Sequence, residues 1–219
     1  RKFINKVWNA GKFLELIISQ TEKVEFNVNK LNIYDKWIYS KLNSAVEDIE
    51  RHMENLDVCQ AVNRMYSFVW DDFCDYYVEL TKPFVYSENK EVRAQAVGVF
   101  KDVYINILKL LHPIMPFITE ELYKEFGEGF LMMQSYAKSV GVYPVEEQKV
   151  NKIISLIQKI REVRLSLNVV PSKRITLLAS NGKITNDNFT TLQEAAPVLS
   201  KMVNIEKVSV AEINSEEVV

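Results

Sequence analysis

Glycine, cysteine and histidine are scarce in this chain. Its 219 residues hold six glycines, two cysteines and two histidines, and each shortage excludes a class of function. Phosphate-cradling loops need glycines clustered where a strand turns into a helix, and no such cluster occurs. Cys59 and Cys74 form no Cys-x-x-Cys pair. Their spacing excludes a thiolate metal cage and fits a reducing compartment, with both thiols as small buried hydrophobes. His52 and His112 are far apart and sit in no recognisable motif. His112, between Leu111 and Pro113, reads as a packed corner residue rather than an acid–base catalyst. No apolar run is long enough to span a bilayer, and no charged-then-apolar signal segment opens the chain. The first residue is not Met and a helical pattern is already running there, which fits a piece excised from something longer.

What is present is an ordinary globular composition with an uneven distribution of charge. The net charge is −2, which argues against a wholesale nucleic-acid coat but not against a local basic patch. Residues 1–14 carry Arg1, Lys2, Lys6 and Lys12 and no acid. Residues 149–174 carry Lys149, Lys152, Lys159, Arg161, Arg164, Lys173 and Arg174 against Glu162 alone. The middle of the chain is acidic by contrast.

Apolar periodicity predicts helices over the first two-thirds. The first spans Lys2 to Ser19, with Phe3, Val7, Ala10, Leu14, Ile17 and Ile18 inward. The second starts near Asp35 as N-cap and buries Ile38, Leu42, Val46, Ile49 and Met53. The third buries Val58, Val62, Met65, Val69, Phe73, Tyr76 and Leu80, with Tyr66, Trp70 and Tyr77 as a second apolar strip, and should stop at Lys82 because Pro83 disfavours helix before it. A fourth covers Lys90 to Leu111. Pro113 and Pro116 turn a corner into a short fifth, Phe117 to Phe126. Residues 127–145 read as a loop, and a sixth helix runs from Val145 to Leu167. The character then changes: a strand at Arg174–Ala179, a helix at Asn186–Leu199 limited by Pro197, a strand at Val203–Val210, and a frayed end from Asn214 to Val219. The expected fold is therefore mainly α, a helical bundle over residues 1–145, followed by a helix and a small strand–helix–strand appendage over 146–219.

Candidate chemistry is confined to surfaces. Asp71, Asp72 and Asp75 spread over the polar side of the third helix and read as a solvated or salt-bridged face. At about 100° per residue, Arg1, Lys2, Asn5, Lys6, Asn9, Lys12 and Phe13 fall on one arc of roughly 140°, opposite the apolar set. Cations for phosphates, amides for base edges and a phenyl ring for stacking are what single-stranded RNA requires; a lysine-rich solvated face is the bland alternative. Arg161 and Arg164 point toward the apolar side of the sixth helix and need partners, either Asp72 or an RNA phosphate.

Several segments also resemble one family. Arg1-Lys2-Phe3-Ile4-Asn5-Lys6-Val7-Trp8-Asn9-Ala10 is similar to the R-N-F-x-N-K-x-W-N-A helix of valyl-tRNA synthetases, with Lys2 where the family usually has Asn. Asp35-Lys36-Trp37-Ile38-Tyr39-Ser40-Lys41-Leu42-Asn43, the run Phe68-Val69-Trp70-Asp71-Asp72-Phe73-Cys74-Asp75-Tyr76-Tyr77-Val78-Glu79-Leu80, and Leu111-His112-Pro113-Ile114-Met115-Pro116-Phe117 follow in the family's order. The likeness covers residues 1–174, ending in a run from Arg161 to Lys173 similar to I-R-x-x-R-x-x-x-N-V-P-P-x-K. The Pro the family carries near Leu131–Tyr136 is missing. The resemblance implies the anticodon-binding bundle of a class I synthetase, part of a cytoplasmic, monomeric enzyme that joins valine to tRNA-Val using ATP with Mg. The H-I-G-H and K-M-S-K-S signatures are absent, so the resemblance implies a piece that binds tRNA, relies on a catalytic domain of the same polypeptide, and holds no catalytic residue, metal or cofactor itself. The tRNA contacts it implies are Arg1, Asn5, Lys6, Asn9, Lys12 and Phe13, with Arg161 and Arg164 as the second group. The alternatives are the same bundle of an isoleucyl, leucyl or methionyl enzyme, or a non-catalytic helical docking module with an acidic partner.

Overall fold

The computed structural model describes residues 1–138, 140–180 and 186–211; the fraying expected at Asn214–Val219 lies outside them. Two compact units emerge, Arg1–Glu147 and Gln148–Val219.

The first unit is helical. Its elements are α1 (Lys2–Ser19), α2 (Ile33–Glu54), α3 (Val58–Ser67), a π-helical stretch (Phe68–Tyr77), α4 (Val78–Val85), α5 (Lys90–Leu111) and α6 (Pro116–Tyr123); α7 (Pro144–Ser166) starts here. Helix α2 begins three residues earlier than a cap at Asp35 would allow. Asn32 is the N-cap and Asp35 closes a capping box with it, which satisfies two end groups reciprocally.

The third predicted helix is one continuous rod, but not a plain α-helix. Its buried residues include Ala61, Met65, Val69, Phe73, Tyr77, Thr81 and Val85, a stripe spaced by four throughout, with Phe68 and Leu80 buried beside it. A step of four overshoots an α-turn by about 40°, so six such steps would carry the stripe around the rod. The π stretch cancels that drift: Val78 N–H donates to Phe73 O, five residues back, and each wide turn takes up more residues. Tyr77 is thereby buried where a regular 3.6 period selects Tyr76, and Val58 is left exposed. The rod also passes through Pro83 and ends at Val85. Proline removes its own N–H from the ladder and crowds the carbonyl four residues back; the ladder nevertheless resumes, with Tyr86 N–H donating to Lys82 O at 3.1 Å, and burial of Leu80, Thr81 and Val85 holds the last turn.

Aromatic rings fill the centre of this unit. Phe73 lies 5.3 Å from Phe100 and 6.3 Å from Tyr104, and Tyr77 stacks on Phe100 at 6.0 Å. Helix α1 is tied to this cluster from the other side. The Tyr104 hydroxyl donates to Val7 O at 2.9 Å, and a Cβ on Gly11 would sit 2.5 Å from that hydroxyl. Gly98 similarly lets the strand-like segment after α1 lie on α5: a Cβ there would meet Glu25 O at 1.9 Å.

The second unit contains most of α7 and a βαβ layout. The strands β1 (Ile175–Ser180) and β2 (Ile205–Ala211) pair in parallel, with Ile175 opposite Ile205 and Leu177 opposite Val208. Between them are α8 (Asn186–Glu194) and α9 (Ala196–Val203). Pro197 does not limit one helix, as expected, but opens the second, in the first turn where its missing N–H is not needed.

One buried polar pair lies inside the bundle. Asp35 is 1% exposed; it accepts from Tyr77 Oη at 2.9 Å and from Asn32 N–H at 3.1 Å. Burial outweighs those donors and pushes the carboxyl up to about 7. Between the ordinary carboxylate range and that value, the folded protein holds a proton that the unfolded chain has released. Stability therefore falls as pH rises through this window. Tyr77→Phe removes one donor, and should lower the unfolding free energy by about 1–3 kcal/mol at pH 8 and by less at pH 5, where the carboxyl is neutral. Urea titrations at the two pH values measure the difference.

Candidate nucleic-acid interface

Helix α1 presents Arg1, Lys2, Asn5, Asn9 and Lys12 to solvent. The apolar residues Val7, Ala10, Leu14 and Ile17 are buried on its other side. The cations and amides of the sequence arc therefore do share an outer face, with two exceptions. Lys6 is only half-exposed: it pairs with Asp75 of the π stretch, and its ammonium sits 3.7 Å from the centroid of the Trp70 ring. Phe13 does not turn outward with the cations. Its ring packs edge-on against Phe100 at 5.4 Å and Tyr86 at 6.4 Å, so it belongs to the rim of the core. A helical projection places it at the border of the arc, and the larger aromatic cluster draws it in.

The exposed aromatics of this face are others. Trp8 is 40% exposed and lies 5.5 Å from the Lys12 ammonium. Tyr66 is also exposed and is stacked between Phe3, at 5.0 Å, and Trp70, at 5.4 Å. Phe3, Tyr66, Trp70 and Lys6 thus form a ladder from α1 across α3 and the π stretch. The signal for it lay in the strip of Tyr66 and Trp70, which a single-helix reading assigns to packing alone.

Charge on this face is largely compensated. Lys12 pairs with Glu15 at 2.7 Å, Lys82 with Glu79 and Lys6 with Asp75. Among the described residues, Arg1 and Lys2 have no carboxylate partner. An incoming phosphate would exchange with a carboxylate at Lys6 or Lys12 and meet free charge at Arg1 and Lys2. Beside Lys6 the surface dips into a cleft of about 320 Å³ between α1 and the rod, walled by Asn9, Ala10, Phe13, Cys74, Asp75, Val78 and Lys82. Burial pushes the Cys74 thiol up to about 11, so it remains a neutral wall at pH 7.

The acidic trio separates. Asp71 and Asp75 are exposed, while Asp72 is half-buried. Burial lifts its carboxyl to about 6, against the pull of Lys41 and Arg64. His112 faces Thr119, its Nδ1 2.8 Å from the hydroxyl, at the corner before α6. Among the described residues no group of three or more His, Cys, Asp or Glu is placed to hold a metal ion, and no helix is long and apolar enough to cross a membrane.

Arg161 and Arg164 belong to the second unit. Arg161 is exposed. Arg164 is 7% exposed, and among the described residues its guanidinium is taken up by main-chain oxygens rather than by a carboxylate such as Asp72. Nη1 donates to Val170 O at 3.1 Å; Nη2 donates to Lys173 O and Val203 O, both at 2.8 Å. Main-chain carbonyls can take up the donors of a buried guanidinium as an acid does; here the two terminal nitrogens clasp the chain after α7 to the chain before β2, while Nε is buried without a partner. Arg164 is therefore an internal clasp, not a free contact for RNA.

A family model described as the anticodon-binding domain of tRNA ligase matches residues 35–179. The chain belongs to this family. It is 34% identical over 188 residues to the valine–tRNA ligase of Clostridium acetobutylicum, covering 81% of this chain and 21% of that protein. Against the valine–tRNA ligase of Streptococcus agalactiae serotype Ia, identity is 34% over 197 residues, 85% of this chain and 22% of that protein. The valine–tRNA ligase of Streptococcus pyogenes serotype M3 is 31% identical over 220 residues, 95% of this chain and 25% of that protein. The chain thus spans between a fifth and a quarter of the length of these relatives. The anticodon-binding family match starts at the second residue pair of α2 and leaves α1, with its outward cations, before it.

The clasp can be tested within the second unit. Arg164→Lys leaves one compact donor where a planar fork spans three carbonyls. It should destabilise this unit by about 2–4 kcal/mol, seen as faster hydrogen exchange across β1 and β2. Arg161→Ala should change it by less than about 0.5 kcal/mol.

Proposed function

We propose that this chain is the tRNA-binding, anticodon-recognising part of a valine–tRNA ligase. The parent enzyme attaches valine to tRNA-Val with ATP and Mg, and those chemical steps belong to a catalytic domain of the same polypeptide. The chain alone carries out none of them. It works as a monomer in the cytoplasm, on the partner tRNA-Val.

The observation that carries this reading is the outer face of α1. Arg1, Lys2 and Lys12 supply cations, Asn5 and Asn9 supply amides with both donor and acceptor atoms, and Trp8 and Tyr66 supply exposed rings beside them. An unpaired RNA loop offers phosphates, base edges and ring faces in the same close order. The helix is held rigid by Tyr104 and by the Phe3–Tyr66–Trp70 ladder, so little ordering is needed on binding. Of the earlier candidates, Arg1, Asn5, Lys6, Asn9, Lys12 and Arg161 remain as contacts, Phe13 becomes a cleft wall, and Arg164 drops out.

Because most cations already have acidic partners, few phosphates are neutralised. Binding should be weak and modestly salt-dependent, with log K falling against log salt at a slope of about −1 to −3. Filter binding of valine tRNA across rising salt measures it. The pair Arg1→Glu and Lys12→Glu should weaken binding at least about tenfold and flatten the slope, with the thermal midpoint unchanged. Equal affinity for tRNAs with unrelated anticodons would refute anticodon reading. Indifference to all RNA would leave a protein-docking module in its place.

A further inference from the structure

We infer that the groove on α6 and the turn after it form a docking surface for the rest of the parent polypeptide, and that an apolar segment flanked by cations seats there. The inference rests on the reading of this chain as part of a valine–tRNA ligase. It assigns a surface that the RNA-facing side of α1 does not include.

The stretch from Pro116 to Gln134 turns large apolar side chains outward. Leu122 and Leu131 are buried, yet Phe117 is 92% exposed, Phe130 64%, Met132 70% and Met133 77%. Single exposed hydrophobes are ordinary, but these are gathered. Pro116, Phe117, Phe130 and Met132 line one groove of about 380 Å³. Of its polar walls, His112 is held by Thr119, Glu120 by the Leu131 N–H, and Lys124 by Glu121. Gathered apolar surface of this kind marks interaction sites, and methionines beside aromatic rings adapt to an apolar partner.

The patch is pinned rather than loose. On α6, Thr119, Leu122 and Tyr123 are buried, which leaves Phe117, Glu121 and Lys124, at i, i+4 and i+7, on the outer side. Leu131 N–H donates to Glu120 Oε1 at 2.9 Å, and Gln134 Nε2 donates to Phe130 O at 3.4 Å. Phe130 and Met132 are therefore already set beside Phe117, and docking costs little further ordering.

Charge selects the occupant. Between Pro116 and Gln134 stand four glutamates and one lysine, and that lysine, Lys124, is paired with Glu121. Such a rim repels RNA and anionic lipid and draws in cations that flank an apolar segment. The segment belongs to the same polypeptide. This chain covers 21% to 25% of the valine–tRNA ligases it matches, so most of such a protein lies outside it, and neighbouring domains of one polypeptide meet over mixed apolar and charged faces.

Hydroxyl-radical footprinting of the full-length valine–tRNA ligase tests this, with each methionine followed by mass spectrometry against an added methionine peptide. Left as exposed as they are here, Met132 and Met133 would label nearly as fast as the peptide; covered, they should label at least about fivefold slower. Phe117→Asp in the full-length enzyme should remove that protection, and Glu121→Lys with Glu128→Lys should weaken it at least about twofold. Labelling near the peptide rate in the unaltered enzyme overturns the inference. So does protection that Phe117→Asp leaves intact, or protection lost on dilution, which belongs to a second copy. Protection indifferent to the two glutamate reversals overturns the cation-flanked occupant. Failure of the full-length protein to charge valine tRNA overturns the reading of the parent; charging with an unprotected groove overturns only this inference.

Discussion

The packing of Phe73 and Tyr77 against Phe100 and Tyr104 is the constraint on which the rest of the molecule depends. It forces a stripe of buried residues spaced by four along the central rod, and only a wide π stretch keeps that stripe facing one way. The same turns set Trp70 and Asp75 against α1, where they hold Lys6. Tyr104 fixes α1 from the opposite side through Val7 O. The direction in which α1 shows its cations thus follows from how the core aromatics pack, and π turns are frequent at functional sites.

The electrostatics of the candidate interface are balanced rather than strong. Each of Lys6, Lys12 and Lys82 is matched by an acid close in space. Exposed pairs of this kind contribute little to stability, but they do lower the attraction for arbitrary polyanions. A surface of this kind discriminates by what it requires in exchange for each broken pair. That suits a module of an anticodon-binding family better than a basic sheath would.

Much of the fold is legible in the residues. The ends of α1 and α5 and the mainly helical class follow from apolar periodicity, and the strand–helix–strand layout follows from the change in character after Pro171. The departures come either from tertiary contact outweighing a local rule or from one local rule displacing another. Pro83 stays within helix because its neighbours are buried, Tyr77 displaces Tyr76 because the turn widens, and Pro197 starts a helix rather than stopping one. At the candidate site, the outward set of Arg1, Asn5, Asn9 and Lys12 is readable from a 100° projection. Phe13 is misjudged because a projection does not register the ring cluster of α5, and Arg164 because its partners are main-chain carbonyls far along the chain, which no side-chain pattern marks. Trp8 and the Tyr66–Trp70 stack require three elements to be in place before their exposure has meaning.

The central claim is that the outer face of α1, with the edge of the π stretch beside it, is where RNA lies. Photo-crosslinking of a valine tRNA carrying a photoreactive base in its anticodon loop, followed by peptide mapping, tests this most directly. Crosslinks should fall within residues 1–13 and 66–75. Crosslinks confined to α6 or to the second unit, at equal yield and equal salt sensitivity, would contradict it.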